Sequence, residues 1–149
     1  MKYMKLVLAL AMAISGGAAA AAEDAIGIVK FATGDTAVDR GSESAVVVSG
    51  DSIYRDDVLR TGEGSSLGIT FKDNTRISLG PNSTYSVSEF VFAPAEEEYS
   101  FVTKLTRGTL LYVSGVIAKL APETVAIETP TASIGVRGTR FLVRVGEEG

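Results

Sequence analysis

The stretch Pro130–Val145, PTASIGVRGTRFLVRV, contains two runs in which apolar and polar residues alternate. The apolar residues lie at even positions in the first run and at odd positions in the second: Ala132, Ile134 and Val136, then Phe141, Val143 and Val145. Because successive side chains of a β-strand point to opposite faces, both sets face one core only if a residue is added between them. The stretch therefore predicts two strands joined by a bulge or a sharp corner.

The junction between the runs contains Gly135, Gly138 and Thr139, which we interpret as a structural corner. Gly138 is the natural extra residue, since a corner needs backbone conformations that a side chain would forbid. Gly135 would let another strand approach closely. The alternative is a glycine loop that holds a ligand, but such a loop joins two helices in a basic setting or precedes a helix. Here Phe141-Leu142-Val143 follows and is strand-like, so we favour the corner.

Similar strand patterns cover the chain from Ile26 onward. Short apolar or alternating runs, separated by turns, occur at Ile26–Phe31, Thr36–Val38, Val46–Val48, Val58–Leu59, Leu67–Phe71, Ile77–Leu79, Tyr85–Phe92, Phe101–Leu105, Thr109–Val113 and Val125–Ile127. A parity change within Tyr85–Phe92 predicts a bulge near Ser88-Glu89, and Gly115–Pro122 has room for one helical turn. Leu110–Val113 is apolar on both parities, which predicts burial on both faces. The pattern indicates an all-β domain of many short strands, irregular and either solenoid-like or sandwich-like.

The N-terminus has the features of a secretory signal peptide. Lys2 and Lys5 precede the apolar run Leu6–Ile14, and the small residues Ala18–Ala22 follow. The run is too short for a spanning helix, which needs about 20 residues. We expect a signal-peptide helix at residues 1–22, cleaved near Ala22, followed by one domain at residues 23–149 with no membrane span. The alternative is an uncleaved anchor.

Composition excludes several classes of function. The chain has no Cys and no His, which removes thiolate and histidine metal sites, cysteine nucleophiles and the usual acid–base triads. Without Lys2 and Lys5, 12 of the 14 basic residues remain against 18 acidic ones, a net charge of −6. An acidic domain of this kind is a poor candidate for nucleic-acid binding. We expect no cofactor and no metal.

An ordered series of motifs resembles the FecR-domain family. It comprises GDSIYRDDVLRTGEGSSLGITFKDNTRISLGPNSTYSV (Gly50–Val87), RGTLLYVSGVIAKLAPETVAIETP (Arg107–Pro130) and ETPTASIGVRGTRFLV (Glu128–Val143). The resemblance implies a periplasmic, all-β, non-enzymatic domain that senses an outer-membrane receptor and relays its state inward. Asp56 and Asn74 stand where the family often has Gly. Only a signal-like stretch precedes the domain, so the sequence does not predict sigma-factor control.

Several charged residues are candidate site residues. Asp51, Asp56, Asp57 and Asp73 carry oxygen ligands suited to a cation but lack the spacing of a calcium loop, so we expect solvated turn residues. Arg137 either pairs with a carboxylate or contacts a partner. Gly64-Ser65-Ser66-Leu67-Gly68 fits the nucleophile-elbow pattern, but a strand follows it and no His is present.

The last strand pattern, Arg140–Val145, places Arg140, Leu142 and Arg144 on one face and apolar residues on the other. Unless an earlier strand pairs with its free side, this strand is an exposed edge. Such an edge either stays solvated or is the place where a partner or a second copy docks, with Arg140 and Arg144 as contacts. We therefore expect a non-enzymatic exported module, periplasmic or secreted, that binds an envelope protein or a second copy. The alternatives are an envelope-structural or cell-wall-associated domain and, less favoured, a cation- or carbohydrate-binding domain.

Overall fold

A computed structural model describes residues 24–136 and 139–146. This part contains twelve strands: β1 Gly27–Thr33, β2 Thr36–Arg40, β3 Glu43–Val46, β4 Ser52–Ile53, β5 Val58–Thr61, β6 Ser66–Phe71, β7 Arg76–Leu79, β8 Thr84–Ala93, β9 Glu98–Val113, β10 Val125–Glu128, β11 Ser133–Gly135 and β12 Arg140–Val145. One short helix, α1, spans Val116–Leu120, and turns of 3-10 helix cover Pro94–Glu96 and Pro122–Thr124. The prediction of an all-β chain is confirmed. The signal peptide lies outside the described residues and stays a prediction.

The strands form two halves of a folded sheet that share β9. In the first half the order is β4–β1–β6–β7–β9–β12, and in the second it is β3–β2–β5–β8–β9–β10–β11. β9 belongs to both because its first part pairs with β8 and β10 and its last part with β7 and β12. β9 and β10 are parallel, whereas the other pairs of the described part are antiparallel. The halves close on a common core, which is a sandwich-like arrangement.

Alternation along the strands builds this core. β6 and β7 bury one set of side chains almost completely: Leu67, Ile69, Phe71, Ile77 and Leu79. Aromatic rings then join the two halves. The ring of Phe101 on β9 lies 5.0 Å from that of Phe71 on β6 and 5.3 Å from that of Phe90 on β8. Edge-to-face contacts at these distances are favourable for aromatic rings.

The predicted bulge in β8 is confirmed. The pairing of β8 with β9 shifts by one residue between Val87 and Glu89, so Phe90 rejoins the core after the parity change. Two other predictions about strands were wrong. Phe101–Leu105 and Thr109–Val113 are parts of one strand, β9, which passes through Gly108 without ending. Leu110 and Tyr112 are buried, but Leu111 and Val113 are only half-buried on the outer face.

The turn acids were predicted to be solvated, and for Asp57 and Asp73 this is wrong. Asp57 is 2 % exposed and accepts two hydrogen bonds of 2.8 Å from the guanidinium of Arg40. It also accepts a bond from the Tyr54 amide. Asp73 is fully buried and is likewise hydrogen-bonded. Both carboxylates tie turns to other parts of the chain, because a buried charge needs such partners.

The two positions at which the family often has Gly have left-handed backbone. Asp56 has a φ of 69° and Asn74 a φ of 67°. Asp and Asn adopt this conformation more readily than most residues with a side chain, because they hydrogen-bond locally. The Asn74 amide donates to the Phe71 carbonyl at 2.9 Å, which closes the turn between β6 and β7. Asp56 and Asn74 are therefore compatible with the left-handed backbone that these two turns require.

Two core tyrosines predict how stability depends on alkaline pH. Burial raises the pKa of Tyr85 well above its ordinary value of 10.0 and the pKa of Tyr112 to about 12. Below pH 10 both hydroxyls are neutral in the folded and unfolded chain, so stability is constant. Above it, the unfolded chain releases protons that the folded chain retains. We therefore expect the free energy of unfolding to fall progressively as pH rises from 10 through about 12.

Denaturant unfolding at a series of alkaline pH values measures this loss. Tyrosinate absorbance, followed in parallel, should show the buried tyrosines ionising together with unfolding. The Tyr112→Phe variant is the control, because it removes one of the shifted groups and should flatten the alkaline decline. If all tyrosines ionise near pH 10 while the chain stays folded, the assignment of these two hydroxyls to a dry core is wrong.

Candidate interaction surface at the β11 and β12 edges

The strand β12 is an edge strand in the described part of the chain. It pairs with β9 in antiparallel register, with Arg140 opposite Val113 and Arg144 opposite Thr109. Its other side is joined to no strand within residues 24–136 and 139–146. An edge of this kind presents backbone N–H and C=O groups to an incoming strand.

β12 has one face toward the core and one toward solvent, as predicted. Val143 is 7 % exposed and Phe141 and Val145 are half-buried, whereas Leu142 is 65 % exposed. Phe141 stacks on Tyr112 with ring centroids 4.9 Å apart. The carbonyl of Thr139 accepts a 2.9 Å bond from the Ser114 amide. These contacts hold the start of β12 against β9 and leave the outward side chains exposed.

The chain crosses from one half to the other between β11 and β12. β11 pairs with β10 in the second half, and β12 pairs with β9 in the first half. Val136, between them, is buried at 3 % exposure. A Cβ on Gly135 would meet no described atom within 4 Å, so the expected close approach of another strand at this residue is wrong. Arg137 and Gly138 lie outside the described residues, and their roles stay predictions.

A cleft of about 750 Å³ lies where the two halves separate. β10 pairs with β9 as far as Lys104, and β12 pairs with the same side of β9 from Gly108 onward. The cleft lies beside the part of β9 between these two pairings. It is lined by Thr106, Arg107, Thr129–Ala132, Ile134 and Val143–Gly146. One wall is therefore the β10–β11 hairpin, and the other is the second half of β12.

The outer face of the first half is basic. Its strand segments, including residues 108–113 of β9, contain Lys30, Arg76, Arg140 and Arg144 and no Asp or Glu. In the second half, by contrast, β2, β3, β8, β9 and β10 each contain an acidic residue. Within the described residues, Arg76, Arg140 and Arg144 make no ion pair, unlike Arg40 and Arg60. Register places Arg76 and Arg140 on either side of Val113.

Within the described residues, the acidic side chains form no cation site and the elbow-like motif is not a nucleophile elbow. No group of three or more acidic side chains comes together as a cation site in residues 24–136 and 139–146. Ser66 of the elbow-like motif is the first residue of β6, and no helix follows it. Ser65 is buried and accepts a 2.7 Å bond from the Asp35 amide, so this motif is a structural turn. No helix among these residues is long and apolar enough to cross a membrane.

The chain matches the model of a known protein family. The profile of the FecR protein family matches residues 57–149. The chain belongs to the FecR family. The match begins just before β5 and includes β9, the β10–β11 hairpin and β12, and therefore the cleft and both edges. Neither the curated proteins nor the solved structures contain a significant match.

Membership of the FecR family indicates the general class of protein to which this chain belongs. The family is one of signalling or sensory modules and is not known for enzymatic activity. The sequence motifs pointed to the same family. The cleft was not predicted, because it depends on β10 and β12 pairing with the same side of β9, and neither pairing is visible in local alternation.

Proposed function

We propose that this FecR chain is an exported, non-enzymatic module that binds a protein of the cell envelope as part of sensing or signalling. The observation that carries the proposal is the side of β12 that pairs with no strand among the described residues, beside the cleft. Strand edges are recurrent recognition sites because their backbone groups bind another chain directly. The signal-like N-terminus supports a periplasmic or secreted location.

A second candidate is an envelope-structural or cell-wall-associated domain. Arg76, Arg140 and Arg144, which make no ion pair within the described residues, would suit an anionic polymer of the wall, because exposed cations attract such polymers without shape complementarity. We favour a protein partner because an edge strand offers hydrogen bonds that a polysaccharide does not match in register. A cation-binding role is not favoured by the arrangement of the described acids.

Crosslinking in intact cells separates these functions. A photoreactive residue at position 142 lies on the exposed side of β12 and reports contacts of this edge, whereas one at Lys119 on α1 serves as a control. We expect one envelope protein to be captured from position 142 and not from position 119. Capture of cell-wall material from position 142 would favour the second candidate, and equal capture from both positions would contradict a specific edge.

Export has its own test. The exported chain should have an intact mass that lacks about 22 residues, because the alanines before residue 23 suit a signal peptidase. Fractionation followed by mass spectrometry measures this. A full-length mass in the membrane fraction would show an uncleaved anchor, and a full-length mass in the cytoplasm would contradict export.

A further inference from the structure

We propose that the cleft between β11 and β12 takes an extended segment of the partner protein, which pairs with β12 and alternates acidic with aliphatic residues. The inference rests on the proposed function and adds the mode of binding and the chemistry of the segment. It follows from the backbone of β12, the apolar lining of the cleft and the charge of the outer face.

The backbone groups of β12 determine the side on which a segment can pair with this strand. In an antiparallel pair, every second residue directs its N–H and C=O groups away from the partner strand. Within the described residues these outward groups of β12 meet no other strand. A segment that pairs with them continues the first half by one strand, in the order β7–β9–β12–segment.

The cleft determines which side chains the inner face of that segment would carry. Val143 and Val145 point inward from β12, and Ile134 faces the cleft from the hairpin. Val145 and Ile134 are only half-buried, so they leave apolar surface for additional side chains to cover. Every second residue of an added strand would point into this space, and aliphatic residues suit it.

The outer face determines the remaining positions. Arg140 and Arg144 flank the exposed Leu142, and neither arginine makes an ion pair in the described part of the chain. Residues of the segment directly opposite the two arginines are therefore acidic, because directly opposed side chains on one sheet face interact most strongly.

The same arginines argue against a second copy as the occupant. Antiparallel pairing of two β12 strands centred on Leu142 would place Arg140 of one copy opposite Arg144 of the other. Like charges directly opposed across two strands are destabilising. The edge is thus protected from self-association and open to an acidic strand.

A peptide exchange experiment tests the proposal on the exported chain. The probe is a short, capped peptide that alternates Glu with Val, and two matched peptides replace Glu with Lys or methylate alternate backbone nitrogens. We expect the Glu–Val peptide to protect from hydrogen exchange those amides of β12 that point away from β9. The Lys–Val and methylated peptides should bind at least about tenfold more weakly, because they lose the charge pairs or the backbone bonds.

Charge reversal provides the decisive variant. The double variant Arg140→Glu, Arg144→Glu should prefer the Lys–Val peptide, since both residues are exposed and the rest of β12 is unchanged. Lys30→Glu is the matched control, as Lys30 is an exposed cation of the first half on β1, four places from β12 in the strand order. It should leave the preference for Glu–Val unaltered.

Several results would overturn the inference. These are equal binding of the Glu–Val and Lys–Val peptides, undiminished binding of the methylated peptide, protection outside the two edges, or self-association through β12 without peptide. Binding to anionic phospholipid vesicles that depends on Arg140 and Arg144, with no peptide binding, would show a membrane surface instead. If crosslinking still captures one envelope protein when the peptide fails, the proposed function stands and only the strand mode is wrong.

Discussion

Replacing Gly108 with alanine should lower the free energy of unfolding by about 3 kcal/mol or more. Gly108 lies within β9 with a φ of +97°, a conformation that residues with a side chain rarely adopt. A Cβ at this position would overlap the Cα and Oγ of Ser83 and lie 2.6 Å from its Cβ. Both the backbone strain and the overlap therefore oppose the substitution.

Ser83 has little freedom to move away. It is 1 % exposed, its Oγ accepts a 3.0 Å bond from the Thr109 amide, and its own amide donates to Thr61 Oγ1 at 2.9 Å. Displacing Ser83 would break bonds that join β5, β8 and β9. Gly108 is also the residue at which β12 begins to pair with β9, so the change should loosen one wall of the cleft.

Gly50→Ala is the matched control, because Gly50 has a φ of +95° but no atom within 4 Å of its Cβ position among the described residues. It should lose only about 1–2 kcal/mol from backbone strain. Denaturant unfolding of both variants measures the difference. Equal losses would mean that Ser83 gives way easily and that the close contact does not determine the path of β9.

The parts of the fold that sequence predicts are those determined by neighbouring residues. The alternation of apolar and polar residues predicts β6 and β7, and a change in the parity of the apolar positions predicts the bulge before Phe90. Both signals are local because side chains of a strand alternate with a period of two residues. The same local signal divided β9 incorrectly at Gly108. A glycine with positive φ marks a turn in most chains, whereas here it lies within a strand that two halves share.

Features that depend on distant partners were not predictable. Asp57 is buried because Arg40, 17 positions earlier, reaches its carboxylate. Asp73 is buried because the Ile117 amide, 44 positions later, donates to it. From sequence alone, both acids lie in turn-forming stretches, where solvation is the usual outcome. Strand alternation predicts the arginines of β12 as candidate contacts because it places them on one face. That the neighbouring strands contain no acidic residue becomes visible only when the strand order is known.

Asp73→Ala should be the other severely destabilising change, with a loss of about 3 kcal/mol or more. Oδ1 of Asp73 accepts a 3.0 Å bond from the Thr75 amide, and Oδ2 accepts bonds from Thr75 Oγ1 at 2.8 Å and from the Ile117 amide at 3.1 Å. The Asp73 carbonyl accepts a further bond of 2.8 Å from the Val116 amide. The turn between β6 and β7 is thereby fastened to the start of α1.

Alanine would leave two buried amides, those of Thr75 and Ile117, without an acceptor, and an unsatisfied buried donor costs about 1–3 kcal/mol. Asp51→Ala is the matched control, since Asp51 caps a turn through one exposed bond to the Val48 amide and should lose about 1 kcal/mol or less. Denaturant unfolding measures both losses, and hydrogen exchange should show that the Ile117 amide loses protection first. Because α1 follows directly on the part of β9 that holds β12, releasing it should also weaken binding at the cleft. A variant as stable as Asp51→Ala, with Ile117 still protected, would mean that α1 is held by its apolar contacts and not by this carboxylate.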